Sequence, residues 1–219
     1  MIANLGHCRY VNHPAHNDHG EYKPAQLQVA AQVGLEIPET LITNDLDAVT
    51  TFARDHDRMI YKSFRGIPST PDGKVAAIWT QRVDPMTVDD SVAVTAHMFQ
   101  AEVPKTSDAR VTVVGSHVFA SEIVNPSGAL DWRRGNWSTL EHSPIHVPSS
   151  VVSALRAYLD HFGLVFGCFD FALESGETGN DPYRWIFLEC NPNGQWGWLP
   201  DAGAIAGAFA ETLLEEWSA

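Results

Sequence analysis

The run Phe187-Leu188-Glu189-Cys190-Asn191-Pro192-Asn193-Gly194 decides how this chain is read. It leads an apolar strand into an Asn-Pro-Asn-Gly turn and leaves two oxygen-bearing side chains at the strand end. Alternate residues of a strand share a face. Phe187, Glu189 and Asn191 therefore fall on one side, and Ile186, Leu188 and Cys190 on the other. The second set is apolar and suits a buried face. The preceding strand, expected over 164–174, places Phe166, Cys168, Asp170 and Ala172 together, so Asp170 is an ionisable group in an otherwise apolar element. Antiparallel pairing of the two strands brings Asp170, Glu189 and Asn191 to one point. An oxygen-only donor set suits magnesium and leaves positions for phosphate oxygens and water. The plainer alternative is that both carboxylates face solvent on one side of a sheet.

Working outward, helical spacing of Leu27, Ala30, Ala31 and Val33 begins at Pro24, in the first turn, and stops at Gly34. Strands are expected at 39–43, 59–63, 75–83, 97–103, 110–114 and 117–124, with Gly115-Ser116 turning between the last two. Asn44 or Asp45 caps a helix through Val49 and Phe52. Ser149 or Ser150 starts another, which Gly163 ends. Residues 66–73 form a polar loop, 175–182 a turn, and the segment from Gly203 through Ile205, Phe209 and Leu213 a closing helix. Residues 1–22 are polar, histidine-rich and weakly periodic, with no element to anchor them. Antiparallel strands with helices beside them indicate an α+β fold.

Composition narrows the function classes. A chain of 219 residues, 44% hydrophobic, builds one large domain or two small ones. A formal net charge of -13 repels a phosphate backbone, so nucleic acid is excluded as a general partner. One phosphorylated ligand is not excluded, because a local cation or metal reverses the potential. The three cysteines are Cys8, Cys168 and Cys190; the last two sit in apolar runs and read as reduced core thiols. No signal segment and no apolar run of membrane-spanning length is present, so the reading is a cytoplasmic protein without a membrane partner.

Lys62 is one of only four lysines and sits in Ile60-Tyr61-Lys62-Ser63-Phe64, where it either snorkels to solvent or holds an anion. The following Arg65-Gly66-Ile67-Pro68-Ser69-Thr70 is a loop able to fold over phosphates, though not a Walker A sequence. Arg110, on a strand, and Arg133 and Arg134, in a loop, are candidates for bidentate bonding to phosphate or carboxylate. Each alone fits a structural or surface ion pair equally well. His7, Cys8, His13, His16 and His19 raise a zinc site as a further alternative, without a Cys-x-x-Cys or His-Glu-x-x-His pattern to support it.

Taken in order, these runs resemble the ATP-grasp superfamily, and within it the ribosomal-peptide maturases of the microviridin, or graspetide, type. The resemblance spans nearly the whole chain. It runs from Arg9-Tyr10-Val11-Asn12-His13-Pro14 through Glu21-Tyr22-Lys23-Pro24, Ile37-Pro38-Glu39-Thr40, Tyr61-Lys62-Ser63, Val103-Pro104-Lys105 and Asp108-Ala109-Arg110-Val111. It ends in the opening run extended to Gln195-Trp196. It implies an ATP-grasp fold with nucleotide between two α+β subdomains. Residues 23–103 would be the small subdomain and hinge, and 104–219 the C-terminal subdomain with the metal site. Residues 1–22 would be a polar N-terminal segment or the remnant of a longer protein.

The resemblance also implies roles. Lys23 and Lys62 would contact the phosphates of ATP, and Gln100, Ala101, Glu102 and Val103 would form the hinge that receives adenine through its backbone. Asp170, Glu189 and Asn191 would hold Mg2+. Arg110, with Arg133 or Arg134, would approach the transferred phosphate or activated carboxylate. The hinge departs from the family pattern in having Ala101 before its acid, Glu102. Family members carry a preceding α/β domain, so the resemblance implies a longer gene product, a degenerate homologue, or a partner chain or homodimer supplying that surface. The implied reaction activates a side-chain carboxylate of an acidic precursor peptide as an acyl-phosphate, which a hydroxyl or amine attacks to form an ester or amide crosslink. The rivals are an ATP-grasp ligase for a small carboxylate, amino acid or metabolite, and a non-catalytic nucleotide- or peptide-binding remnant.

Overall fold

The computed structural model describes residues 8–64, 79–134, 136–176 and 181–214. Its first half contains α1 (Pro14–Gly20), α2 (Lys23–Gln32), β1 (Thr40–Thr43), α3 (Leu46–Asp55), β2 (Met59–Lys62), β3 (Gln81–Val83) and β4 (His97–Ala101). There follow β5 (Ser107–Val114), β6 (His117–Val124), β7 (Glu141–Pro144), α4 (Ser149–Phe162), β8 (Phe166–Ser175), β9 (Tyr183–Asn191) and α5 (Ala202–Leu214). Among the described residues these strands form two antiparallel sheets, ordered β1-β4-β2-β3 and β7-β6-β5-β8-β9. The α+β class inferred from the pattern is the one observed.

Local chemistry explains most boundaries. Asp45 caps α3 by accepting from the Asp47 N–H at 2.9 Å. Gly163 ends α4 in the left-handed region at φ 64°, and Gly115 turns β5 into β6 at φ 55°. The larger sheet buries Ala109, Val111 and Val113 of β5 and Phe169, Phe171 and Leu173 of β8 against α2 and α4. On its opposite face, Val114, Phe166 and Cys168 pack under Ile205 and Ala208 of α5. In the smaller sheet Met59 and Phe99 pack with Val49 of α3, while Ile60, Lys62 and Gln100 face a cavity on the other side.

Several expectations need correction. The weakly periodic opening segment contains α1, capped by His13, whose Nδ1 accepts from the Ala15 N–H. Strand β7 had no clear signal in Glu141-His142-Ser143-Pro144, and β5 begins at Ser107 rather than Arg110. The expected loop at 66–73 and the first residues of the strand placed at 75–83 lie outside the described residues. The face assignment of the last strand also changes. Phe187 opposes Phe171 and Glu189 opposes Asp170, so Leu188 has no counterpart on β8. This β-bulge inserts one residue and inverts the alternation. Phe187 therefore joins Cys190 in the core, and Leu188 shares the cavity side with Glu189.

Among the described residues the outer edge of β9 has no strand partner, but it is covered. Glu36 accepts from the Phe187 N–H at 2.7 Å, and the buried Asn12 reaches the chain just beyond the strand. Its Nδ2 donates to the carbonyls of Phe166 and Pro192, both at 2.8 Å, and its Oδ1 accepts from the N–H groups of Val165 and Phe166. Asn12→Ala leaves these backbone groups without their partner, for an expected loss on the order of 3 kcal/mol. Denaturant unfolding checks this; an unchanged midpoint would show that water replaces the amide at no cost.

Candidate active site

A cavity of about 760 Å³ opens between the two sheets. The small sheet contributes Ile60, Lys62 and Gln100, α2 contributes Lys23 and Gln26, and β8 and β9 contribute Asp170, Ala172, Leu188, Glu189 and Asn191. The segment after β6 adds Leu130, Asp131, Trp132 and Arg133. The sites expected from distant parts of the sequence thus meet because β2 and β9 belong to facing sheets and α2 packs beside β9.

The centre of the arrangement is Glu189, whose side chain is 17% exposed. Arg133 Nη1 lies 3.0 Å from its Oε1, and Lys23 Nζ lies 3.5 Å from its Oε2. Burial alone would raise this carboxyl; the charges of Lys23, Arg133, Lys62 and Arg110 overcome that effect and hold it well below the ordinary carboxylate range. Arg133 is itself aligned by Asp131, with Nε on Oδ1 and Nη2 on Oδ2, both at 2.9 Å. Asp170 is deeper. Burial raises its carboxyl despite Arg110, whose Nη1 stands 3.3 Å from Oδ1 and 3.4 Å from Oδ2. Lys62 is buried, and desolvation lowers its ammonium to about 8, with Glu189 opposing the shift. At another wall, Lys105 Nζ touches both oxygens of Asp108 at 2.6 Å; burial raises that carboxyl to about 6 while Lys105 opposes the rise.

The structure brings Lys23, Lys62, Gln100, Ala101, Val103, Arg133, Asp170, Glu189 and Asn191 to the cavity wall. It does not bring three others. Arg110 lies behind Asp170, 5.7 and 5.8 Å from the ring centroids of Trp132 and Trp198, where cation–π attraction supports the buried guanidinium. Arg134 is exposed and is not among the residues that line the cavity. Glu102 turns its side chain to Arg82, at 2.6 and 2.7 Å, and its N–H to the Arg58 carbonyl at 3.0 Å. Asp131, Gln26 and the Lys105–Asp108 pair are contributors that the sequence reading did not assign. Asp131 carried one signal, its position two residues before Arg133.

Of the histidines considered for zinc, His13 caps α1, His16 Nδ1 bonds the Gly163 carbonyl at 2.7 Å, and His19 packs edge-on against Phe162. His7 lies outside the described residues. Among the described residues no three His, Cys, Asp or Glu side chains are gathered as a metal site. Any three-donor set at the strand ends therefore needs the amide of Asn191 beside Asp170 and Glu189.

No protein-family model matches the sequence, and no curated protein matches it either. Solved structures do. The chain resembles the macrocyclase MdnC from Microcystis aeruginosa MRC, bound with precursor peptide MdnA, at 30% identity and a TM-score of 0.80, covering 98% of this chain and 67% of that one. A Chryseobacterium gregarium RiPP-associated ATP-grasp ligase, in complex with ADP and a leader and core peptide, gives a TM-score of 0.79 at 23% identity, covering 93% and 62%. This chain belongs to the graspetide-type branch of the ATP-grasp superfamily. The macrocyclase MdnB from Microcystis aeruginosa MRC is also similar, at 30% identity and a TM-score of 0.72 over 95% of this chain and 64% of that one. The chain therefore spans about two thirds of the length of these ATP-grasp proteins. No helix among its described residues is long and apolar enough to cross a membrane.

Lys62 gives the site a pH signature. Its ammonium is lowered to about 8, so the cation is present below that pH and lost as pH rises through it. If Lys62 must be charged to bind a phosphate-bearing anion, ADP affinity falls on the order of tenfold between pH 7 and 9, the limit for one linked proton. Calorimetric titration across that range checks it. Lys62→Met should bind more weakly throughout and lack the step.

Proposed function

We propose that this chain is an ATP-dependent carboxylate ligase acting on an acidic precursor peptide. A side-chain carboxylate of the peptide is activated as an acyl-phosphate, and a hydroxyl or amine attacks its carbonyl, expelling phosphate and leaving an ester or amide crosslink. The observation that carries this reading is the convergence of Lys23, Lys62 and Arg133 on Glu189, beside Asp170, in the cavity between the sheets of an ATP-grasp chain.

The residues fit a magnesium–nucleotide pair. Asp170, Glu189 and Asn191 offer only oxygen donors, and Asp170 Oδ1 is buried without a hydrogen bond. These three would hold Mg2+, which supplies charge neutralisation at phosphate oxygens when bound. Lys62 and Lys23 present ammonium groups to the same space, where an anion is stabilised by charges already in place. Arg133, aligned by Asp131, is the guanidinium positioned to face a transferred phosphoryl group or the peptide carboxylate. Arg110 acts through Asp170, holding that carboxylate from beneath. Gln100, Ala101 and Val103 supply the hinge side of the cavity, and Glu102 is given over to Arg82.

No protein nucleophile is required. Burial pushes the Cys168 thiol up to about 11 and raises Cys190 well above the usual thiol range, which leaves both as unreactive core groups. Free, buried thiols of this kind accord with a reducing cytoplasm, where we place the protein.

The test is ADP formation by the purified chain with acidic precursor peptides, with the peptide products followed by mass spectrometry. The expected result is peptide-dependent ADP release and loss of water from the peptide. Lys62→Ala and Glu189→Gln should each lower turnover about 100-fold, the effect of removing one charge-stabilising group at about 3 kcal/mol. Unchanged turnover in both would overturn the site assignment. Mass gain from a small molecule would indicate a metabolite ligase, and nucleotide binding without peptide-dependent ADP release a non-catalytic module.

A further inference from the structure

We propose that Gln26 is a positioning residue for the magnesium donors, because its side-chain amide holds Cys190 in place of a neighbouring β-strand. This rests on the nucleotide reading above. Cys190 lies between Glu189 and Asn191 on β9, the outermost strand of the larger sheet. Gln26 Oε1 accepts from the Cys190 N–H at 3.0 Å, and Gln26 Nε2 donates to the Cys190 carbonyl at 2.7 Å. The amide therefore satisfies the donor and the acceptor of a single residue, the pattern an adjoining antiparallel strand provides. Its Nε2 also donates to the Gly20 carbonyl at 2.6 Å, which fixes the amide from the side of α1.

Both nitrogen contacts are to carbonyl oxygens, and the oxygen contact is to an N–H, so the orientation of the amide follows from its partners. Gln26 is 2% exposed, and it lines the cavity. A buried residue reaching from a helix to the one peptide flanked by two proposed metal donors has a geometric consequence. Rotation of that strand end would re-aim Glu189 and Asn191 together. The bulge at Leu188 increases the need for such a hold, since it breaks the regular ladder just before Glu189. Helix α2 is fixed separately through Leu27, Val29 and Ala30 in the core, so removing the amide leaves Lys23 anchored.

The experiment is calorimetric titration of ADP into the full chain, with and without Mg2+, for wild type, Gln26→Met and Gln26→Glu. Circular dichroism and thermal unfolding verify that each is folded. Gln26→Met keeps the bulk and removes both hydrogen-bonding functions; Gln26→Glu keeps an acceptor and removes the donor. The metal-dependent gain in ADP affinity should fall about tenfold in Gln26→Met, with a smaller fall in Gln26→Glu, as expected when a support behind a metal ligand is lost. In Gln26→Met, which adds no charge to the cavity, metal-free ADP affinity should stay within about twofold, because no metal ligand is then in use. An unchanged metal-dependent gain in folded Gln26→Met, or equal losses with and without Mg2+ in that variant, overturns the proposal. Failure of both variants to fold assigns Gln26 to folding and also overturns it. A wild type that binds ADP with no metal-dependent gain instead refutes the magnesium site on which the inference rests.

Discussion

A carboxylate withdrawn from water is the constraint around which this molecule is organised. Moving such a charge into a protein interior costs several kcal/mol unless opposite charge is close and correctly placed. Glu189 meets that condition through Lys23, Arg133 and Lys62, which come from α2, the segment after β6 and β2. Each element is fixed elsewhere by apolar packing, so the charges are held before any ligand arrives. With Arg110, four cations face the three carboxylates of Asp131, Asp170 and Glu189. A chain of net charge -13 thus gathers cations around one carboxylate, although acids also line its cavity. Cations grouped in this way give an acidic protein a place to hold an anion.

The separation of Arg110 from Arg133 shows how burial divides similar side chains. Both are arginines near a carboxylate, but Arg133 lines the cavity and Arg110 is enclosed by Trp132 and Trp198. A guanidinium between indole faces is poorly placed to meet a ligand and well placed to oppose the buried Asp170. Their division of work also accounts for the contrast between the carboxylates. Glu189 is surrounded by cations and kept ionised, whereas Asp170 has Arg110 as its near partner and is dominated by desolvation.

Hydrophobic periodicity made most of this fold legible. The alternation in β8 placed Asp170 correctly against Phe169 and Phe171, and glycines at 115 and 163 marked ends that backbone sterics demand. The pattern failed where tertiary contacts substitute for local preference. Nothing in Asn12 or Gln26 marks them as substitutes for a missing strand, because that role exists only after Cys190, 164 positions away, arrives beside Gln26, and Val165, Phe166 and Pro192, 153 to 180 positions away, arrive beside Asn12. The bulge at Leu188 was equally hidden: an apolar residue suits the cavity wall as well as the core, so the inserted position left no polar mark. Among the arginines, sequence could name Arg133 and Arg134 but could not choose, since only the fold decides which of two neighbours turns inward.

The same contrast holds where the end of β4 meets the cavity. Glu102 is the acid nearest the end of β4, yet Arg82 and Arg58 claim its carboxylate on the outside of the small sheet. Its Coulombic neighbours lower its carboxyl, led by the Arg82 hydrogen bond, so leaving those partners would expose an ionised group to an apolar wall. The apolar part of the lining includes Pro38, Ile60, Ala101, Val103, Ala172 and Leu188. These side chains supply dispersion contact and no competing charge, a surface suited to a flat, weakly polar ring. Charge lies instead at Glu189 with its cations and at the Lys105–Asp108 pair. The cavity therefore offers both an apolar surface and an ionic cluster, so a ligand that is flat at one end and anionic at the other finds a match for each part.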